Sequence, residues 1–436
     1  MSVPVDYAAL AEQYEPLKPF VVATARGAAI DFSNQQAVRV LNQALYWTTL
    51  RIRLVLPHNR LCPPLENRRA YIAWLQELAV YTYPVPRGFT DADNVVVDIG
   101  TGASAVYPLI GCSTWPQVRF LATERDEVSA HWAQTNIDTN NLGDRVKLVP
   151  TRLGDPILRP FFDSPAQRAM FTMCNPPFYS SAEEMRELAA KKEAPATTVY
   201  TGGENESITP GGEVAFVTAM MRESTEHVRD RCIWYTSMVG KASSVEHLAD
   251  FLRANNVDNY AVSRFVAGNT RRWLIAWSFS GIRLPDVRVS PHHQSRSPHS
   301  SPQDVARKSG IPGFAGHPLS NAIERPFPHR TDLPALLDAI LRAIPGLGLS
   351  YLAPLPAQYP FAVRVTATSV TWTRKARRAG APPAAGARPV LVCVVLLKTE
   401  EGAGTTRLAC RWEYGFDRGH FESLAGHVGS KLAAHV

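Results

Sequence analysis

A short stretch, Asn175-Pro176-Pro177-Phe178, combines residue types that can hold a planar amine. Proline fixes φ and donates no backbone hydrogen bond, so two prolines in succession make the loop stiff. The Asn175 side-chain oxygen and the Pro176 carbonyl could accept both hydrogens of an exocyclic NH2 group, and Phe178 could stack on its ring. Such acceptors would localise the nitrogen lone pair without a general base, so positioning would supply most of the rate. Taken alone, the stretch could equally be a rigid turn.

A glycine-rich turn follows an earlier apolar run. Asp98, Gly100 and Gly102 come directly after three valines at 95–97, and Glu124 ends the next apolar run, 24 residues beyond Gly100. Glycines let a ligand approach the backbone, and a carboxylate at that distance can accept hydrogen bonds from both ribose hydroxyls of an adenosine-bearing ligand. The third glycine of the dinucleotide fingerprint is missing. This favours a nucleoside ligand without phosphates, such as S-adenosylmethionine (SAM).

One sheet must position both features. Apolar runs of strand length alternate with stretches of helical periodicity, which predicts an α/β fold: a mostly parallel, seven-stranded sheet with helices on both faces. Ligands bind such sheets at the carboxyl ends of the strands, where the two features would meet. The last two strands are expected to form an antiparallel pair at one edge. Strands are predicted at 94–100, 118–124, 145–149, 169–174, 231–239, 259–267 and 272–279, and helices near 126–140, 211–228 and 243–254.

The chain of 436 residues is too long for one typical domain. Residues 1–283 are predicted to form the α/β domain. Residues 284–328 are rich in Ser, Pro and His and lack apolar periodicity, which predicts a flexible linker. Residues 329–436 are predicted to form a small α+β domain, with helices near 332–344 and 420–433 and strands at 360–373, 389–399 and 407–415.

Composition narrows the class of protein. The six cysteines form no CxxC pair. We therefore expect buried thiols, and we expect neither a metal site nor a disulfide framework. The N-terminus lacks the pattern of a signal peptide and no apolar run is long enough to span a membrane, so we expect an intracellular protein without a membrane partner. A net charge of +7 is compatible with a polyanionic partner.

Together these motifs resemble a known family. The segments DIGTGASAVYPLIG, CNPPF, GGEVAF, WYTSMVGK and TRRWLIAWSF are similar, in order, to the methyltransferase-like protein 16 family, which methylates adenine N6 in U6 small nuclear RNA and has a bacterial ribosomal RNA branch. The resemblance spans roughly residues 5–283. It implies a Rossmann-like class I SAM-dependent methyltransferase fold, SAM as cofactor, structured RNA as partner, and a nuclear location with a cytoplasmic pool as the alternative.

The resemblance also implies roles for residues. It makes Asn175, Pro176, Pro177 and Phe178 catalytic. It assigns SAM contacts to Arg68, Gly100, Ser104 and Glu124, to which the glycine turn adds Asp98 and Gly102.

The predicted RNA contacts are basic residues in three places. They are Arg271 and Arg272 before the last strand, Lys191 and Lys192 in the long loop at 179–210, and Arg374, Lys375, Arg377 and Arg378 in the C-terminal domain. Each cluster could instead be a solvated surface. Family members carry a basic N-terminal arm, whereas here no basic residue precedes Lys18. We therefore expect the basic cluster of the C-terminal domain to supply the RNA contacts that such an arm would make. Two alternatives stay open at this point. One is N-methylation of another RNA or of protein glutamine, and the other is non-catalytic RNA binding.

Overall fold

The computed structural model describes residues 5–24, 27–57, 60, 62–82, 94–184, 186, 208–267, 270–286, 318–353, 355–356, 358–379, 388–400 and 404–436. These residues form two compact units, one holding most of the chain up to Phe279 and the other most of it from Ser280 onward. Among the described residues, no helix combines the length and apolar character that a membrane crossing needs. Nor does that part of the chain bring together three His, Cys, Asp or Glu side chains in a metal-binding arrangement.

The first unit begins with elements that the sequence analysis did not predict. They are helix α1 (Tyr7–Gln13), a 3-10 turn (Glu15–Phe20), the antiparallel hairpin of β1 (Val21–Thr24) and β2 (Gly27–Ile30), and helices α2 (Gln35–Leu50) and α3 (Leu65–Thr82).

The main sheet of the first unit has the predicted topology. Its order is β5-β4-β3-β6-β7-β9-β8, and only β9 runs against the other strands, pairing antiparallel with β7 and β8. Three strands, β3, β6 and β7, are buried along their whole length, as expected for a parallel sheet covered on both faces. The strands are β3 (Val95–Ile99), β4 (Arg119–Glu124), β5 (Val146–Pro150), β6 (Ala169–Cys174), β7 (Cys232–Val239), β8 (Tyr260–Ala267) and β9 (Thr270–Trp277).

Helices connect these strands. Those described are α4 (Val106–Thr114), α5 (Glu127–Thr139), α6 (Arg159–Asp163), α7 (Gly212–Glu226) and α8 (Ala242–Ala254). Tyr235 and Trp277 stack with their ring centroids 5.9 Å apart in the core between β7, β9 and α7. The predicted α/β architecture, a mostly parallel seven-stranded sheet with an antiparallel pair of strands at one edge, is confirmed.

The second unit is a five-stranded antiparallel sheet, β10-β14-β13-β12-β11, with two helices packed on one face. Trp412 and Phe421 stack with their ring centroids 5.5 Å apart at that interface. The predicted α+β class is therefore confirmed. The elements are β10 (Ala322–Pro328), α9 (Leu333–Arg342), β11 (Leu347–Tyr351), β12 (Phe361–Ala367), α10 (Arg374–Ala379), β13 (Leu391–Glu400), β14 (Thr405–Tyr414) and α11 (Arg418–Ala433).

The linker prediction is wrong for Ala322–Pro328, because these residues form β10. Ile323 and Phe327 pack against the core of the second unit. β10 is an edge strand, where Pro326 and Pro328 cost no interior ladder hydrogen bond. The segment 287–317 of the predicted linker lies outside the described residues.

Candidate active site

Strand register gathers the predicted site at one edge of the sheet. Ile99 at the end of β3 pairs with Thr123 of β4 on one side and with Cys174 of β6 on the other. The next residue of each strand therefore lies at the same carboxyl edge, on strands about 4.8 Å apart. Those three residues are Gly100, Glu124 and Asn175.

The glycine turn is shaped by backbone conformation. Gly100 and Gly102 have φ of +69° and +67°, in the left-handed region that other residues rarely adopt. The Gly102 N–H donates to Oε2 of Glu124 at 2.8 Å, and the Arg125 and Asp126 N–H groups donate to Oε1 at 2.8 and 2.9 Å. A carboxylate offers about four acceptor positions, and three are taken. Glu124 thus has room for one further donor, whereas its predicted role requires it to accept from two ribose hydroxyls.

Asp98 is a buried acid beside this turn. Its side chain is 1% exposed, and neither carboxylate oxygen has a hydrogen-bond partner among the described residues. Burial raises its pKa to about 7, and the charge of Glu124 adds to the rise. The nearby Thr101 hydroxyl and the Arg68 charge act against that rise in pKa. An unpartnered buried carboxylate suits a ligand that brings positive charge and N–H donors, and SAM has both.

Arg68 and Ser104 complete the predicted cofactor set. The Arg68 guanidinium lies 5.6 Å from the ring centroid of Tyr107, whose buried hydroxyl has no geometric hydrogen-bond partner in the described part of the chain. Ser104 is buried within the turn that leads into α4. Asp98, Gly100, Gly102 and Ser104 thus lie at the end of β3 or in the turn after it, and Glu124 ends β4. The Arg68 charge acts on the pKa of Asp98 from α3.

The Asn175 loop has the expected open acceptor. Asn175 Oδ1 is buried and has no hydrogen-bond partner in the residues that the structure describes. Phe178 is half-buried, and the Arg272 guanidinium lies over its ring, 5.0 Å from the centroid. At Gly240, a Cβ would come within 3.1 Å of Phe178 Cδ1, so the absence of a side chain there lets the ring sit against the backbone.

The structure places the predicted RNA-contacting residues in three different parts of the chain, not all of which it describes. Trp273 pairs with Val239 at the end of β7, so Arg272 lies level with Gly240 at the active-site edge. Arg271, its neighbour on β9, is exposed. Lys191 and Lys192 lie outside the described residues, and the remaining predicted contacts, Arg374, Lys375, Arg377 and Arg378, belong to α10 of the second unit, where Arg374 and Arg378 are exposed.

The long loop at 179–210, which contains Lys191 and Lys192, is anchored at both ends. The Thr209 N–H donates to the Tyr179 carbonyl at 2.9 Å, so the loop leaves and returns at the same place. Glu184 accepts hydrogen bonds from Ser180 and lies 2.6 Å from Lys241 Nζ. Lys241 and then Ser180 lower the pKa of Glu184 to about 2.

Two supporting residues were missed by sequence reasoning. Glu213, only 2% exposed, accepts from the N–H groups of Gly240 and Lys241 at 2.7 and 3.1 Å and from Ser244 Oγ at 2.5 Å. The sequence signal for Glu213 was a glutamate placed inside the otherwise apolar stretch GGEVAF. The other is Tyr71, a fully buried tyrosine of α3 bonded to the end of β6.

Comparison with known proteins agrees with this geometry. The profile of a family described as RNA methyltransferase matches residues 2–281. The chain is 31% identical over 422 residues to the U6 small nuclear RNA (adenine-(43)-N(6))-methyltransferase of Schizosaccharomyces pombe, covering 96% of this chain and 98% of that protein. It spans about half the length of the vertebrate relatives that it matches, 49% for human METTL16.

Solved structures of human METTL16 share the fold of the first unit. The catalytic domain in complex with MAT2A 3′UTR hairpin 1 has a TM-score of 0.56 and 32% identity, covering 63% of this chain and 92% of that one. The N-terminal domain in complex with SAH has a TM-score of 0.51 and 30% identity, covering 63% and 95%. The chain belongs to the METTL16 family of RNA methyltransferases.

Proposed function

We propose that this enzyme transfers a methyl group from SAM to N6 of a flipped-out adenine in structured RNA, and that U6 small nuclear RNA is its natural substrate. The observation that carries the proposal is Asn175 Oδ1, which is buried beside the glycine turn and has no hydrogen-bond partner among the described residues. The Schizosaccharomyces pombe relative supports U6 RNA, because the similarity extends over both units of the chain.

The residues of the glycine turn would hold the cofactor. Asp98 would face its positive charge, Arg68 its carboxylate, and Glu124 a ribose hydroxyl, while Gly100, Gly102 and Ser104 would let the nucleoside approach the backbone. When bound, SAM supplies an electrophilic methyl group on a sulfonium sulfur.

The Asn175 loop would hold the adenine. The amide oxygen of Asn175 and the carbonyl of Pro176 would accept the two N6 hydrogens and localise the nitrogen lone pair toward the methyl group. Pro177 would keep the loop stiff, and Phe178 would stack on the base. After transfer, N6 releases one proton to water. Because Arg272 covers part of the Phe178 ring, it would shift or share that surface as the base enters.

Basic residues would hold the RNA backbone, since phosphate contacts supply most of the affinity for nucleic acid. Arg271 and Arg272 would contact the RNA from the active-site edge of β9, and α10 would supply Arg374, Lys375, Arg377 and Arg378. Lys191 and Lys192 stay candidate contacts. We propose a nuclear location, where U6 RNA resides. We also propose that the two compact units are the two domains of the chain.

The test is incubation of the full chain with methyl-labelled SAM and U6 transcript, and separately with total RNA and with protein. The label is measured in each fraction, and N6-methyladenosine is mapped in the RNA. One modified adenine in U6 RNA is the expected result. Methyl incorporation into ribosomal RNA or protein glutamine instead would overturn the substrate assignment. Absence of transfer despite SAM binding would overturn the activity.

A further inference from the structure

The β6–β7 ladder changes character just before the catalytic loop. Regular pairing runs through Ala169–Cys232 to Phe171–Trp234. Beyond it, the Thr236 N–H donates to the Thr172 hydroxyl at 2.9 Å, and the Thr236 hydroxyl donates to the Thr172 carbonyl at 2.7 Å. Side-chain hydroxyls thus bridge the two strands where β6 turns into the Asn175 loop.

Tyr71 completes this bridge from α3. Its hydroxyl lies 2.7 Å from Thr236 Oγ1 and accepts the N–H of Cys174 at 3.2 Å. The proton positions follow from counting donors. Because Thr236 gives its one hydroxyl hydrogen to Thr172, Tyr71 must donate to Thr236, which leaves its lone pair for Cys174.

The bond to Cys174 fixes the residue that precedes Asn175. Tyr71, Thr172 and Thr236 are all fully buried, so water cannot replace a lost partner. Loss of the Tyr71 hydroxyl would leave the Cys174 N–H unpaired one residue before the catalytic amide. The direction in which Asn175 Oδ1 points depends on that peptide.

The same helix face reaches the cofactor site. Arg68 and Tyr71 are three residues apart on α3, the spacing of side chains that lie side by side on a helix. The Tyr71 ring meets the Tyr107 ring edge-on at a centroid distance of 5.6 Å, and Arg68 lies over the same Tyr107 ring. A continuous set of contacts therefore joins the cofactor turn to the catalytic loop.

We propose that Tyr71 is a positioning residue for methyl transfer: through Thr236 and the Cys174 N–H it holds Asn175 in the orientation that accepts the adenine amine. The proposal rests on the proposed function, since it concerns the same reaction.

The test compares Tyr71→Phe with the wild-type chain. The variant keeps the ring packing and removes the hydroxyl, so kcat on U6 RNA should fall about tenfold to a hundredfold, the effect of a small misplacement of a reacting group. The KM for RNA and the Kd for SAM should change less than twofold. Thr236→Val should give the same loss, Thr236→Ser should retain activity, and the double variant Tyr71→Phe/Thr236→Val should be no worse than either single variant.

Tyr235→Phe is the matched control. It removes another fully buried tyrosine hydroxyl, one bonded to the Val228 carbonyl, in the same core. It should lower the melting temperature without lowering kcat. Wild-type kcat in Tyr71→Phe, equal kcat losses in Tyr71→Phe and Tyr235→Phe, or additive losses in the double variant would overturn the proposal.

Hydrogen exchange separates this proposal from the proposed function. In Tyr71→Phe the amide of Cys174 should exchange faster than in Tyr235→Phe, whether or not the protein methylates RNA. Unchanged exchange at Cys174 overturns the positioning role even in an active enzyme. Faster exchange in a protein that transfers no methyl group retains the structural link and overturns the proposed reaction.

Discussion

The backbone N–H of Gly102 donates a 2.8 Å hydrogen bond to Oε2 of Glu124, which ties the glycine turn to the end of the neighbouring strand. Two further backbone N–H groups, those of Arg125 and Asp126, hold the other oxygen of this carboxylate. Glu124 therefore supports the glycine turn, and in the proposed reaction it would also accept a hydrogen bond from the ribose.

Replacing Glu124 by Ala should therefore weaken SAM binding strongly. The change removes a charged acceptor from three N–H groups and from the ribose, and hydrogen bonds to charged groups are each worth about 1.5–3 kcal/mol. We expect a Kd for SAM raised about tenfold or more in calorimetry. Glu127→Ala, an exposed carboxylate three residues on, is the control and should bind as wild type. Wild-type affinity in Glu124→Ala would contradict the assigned role.

Asp98 should make SAM binding depend on pH. Burial raises its pKa from 3.8 to about 7, so the folded protein favours the neutral acid below pH 7 and the carboxylate above it. Its contribution to folding stability is therefore present below pH 4 and is lost as pH rises toward 7. A cationic ligand favours the charged form, so affinity for SAM should increase from pH 6 to 8 and then level off.

The measurement is the Kd for SAM at pH 6, 7 and 8 for the wild-type chain and for Asp98→Asn. The asparagine variant cannot ionise, so its affinity should be lower at pH 8 and nearly independent of pH. A wild-type Kd that stays flat over this range, or an equal slope in the variant, would show that Asp98 does not face the cofactor charge.

Much of this site was predictable because its signals are local. The buried strand Ala169–Cys174 matches its prediction residue for residue, since a short apolar run ended by prolines has few alternatives. β10 was missed because Pro326 and Pro328 suggest a coil, and only its edge position makes them acceptable. The bond from the Cys174 N–H to Tyr71 joins residues 103 positions apart, which no periodicity indicates.

Variants of Arg272 can distinguish the effect of its positive charge on RNA binding from the effect of its stacking on Phe178. Arg272→Lys keeps the positive charge but loses the planar group over Phe178. We expect the salt dependence of RNA binding to stay the same while kcat falls severalfold. Arg272→Ala should in addition reduce the slope of log K against log salt by about 0.7–0.9. Full activity in Arg272→Lys would show that the stacking contact has no catalytic consequence.

The basic helix α10 should act on RNA affinity alone. Changing Arg374 and Arg378 to Glu replaces two exposed positive charges on the second unit. RNA binding at low salt should weaken at least tenfold, while kcat at saturating RNA and the Kd for SAM stay within twofold of wild type. Unaltered RNA affinity, measured by filter binding at several salt concentrations, would limit RNA recognition to the first unit.

Asn175 is proposed to hold the N6 amine of adenine during methyl transfer. The most direct measurement is single-turnover methylation of U6 transcript by Asn175→Ala at saturating SAM, with SAM affinity measured in parallel. Loss of an acceptor in such a site costs about a hundredfold to a thousandfold in rate, and we expect at least this drop with SAM binding changed only modestly. A variant that methylates U6 RNA at the wild-type rate would show that Asn175 does not hold the amine.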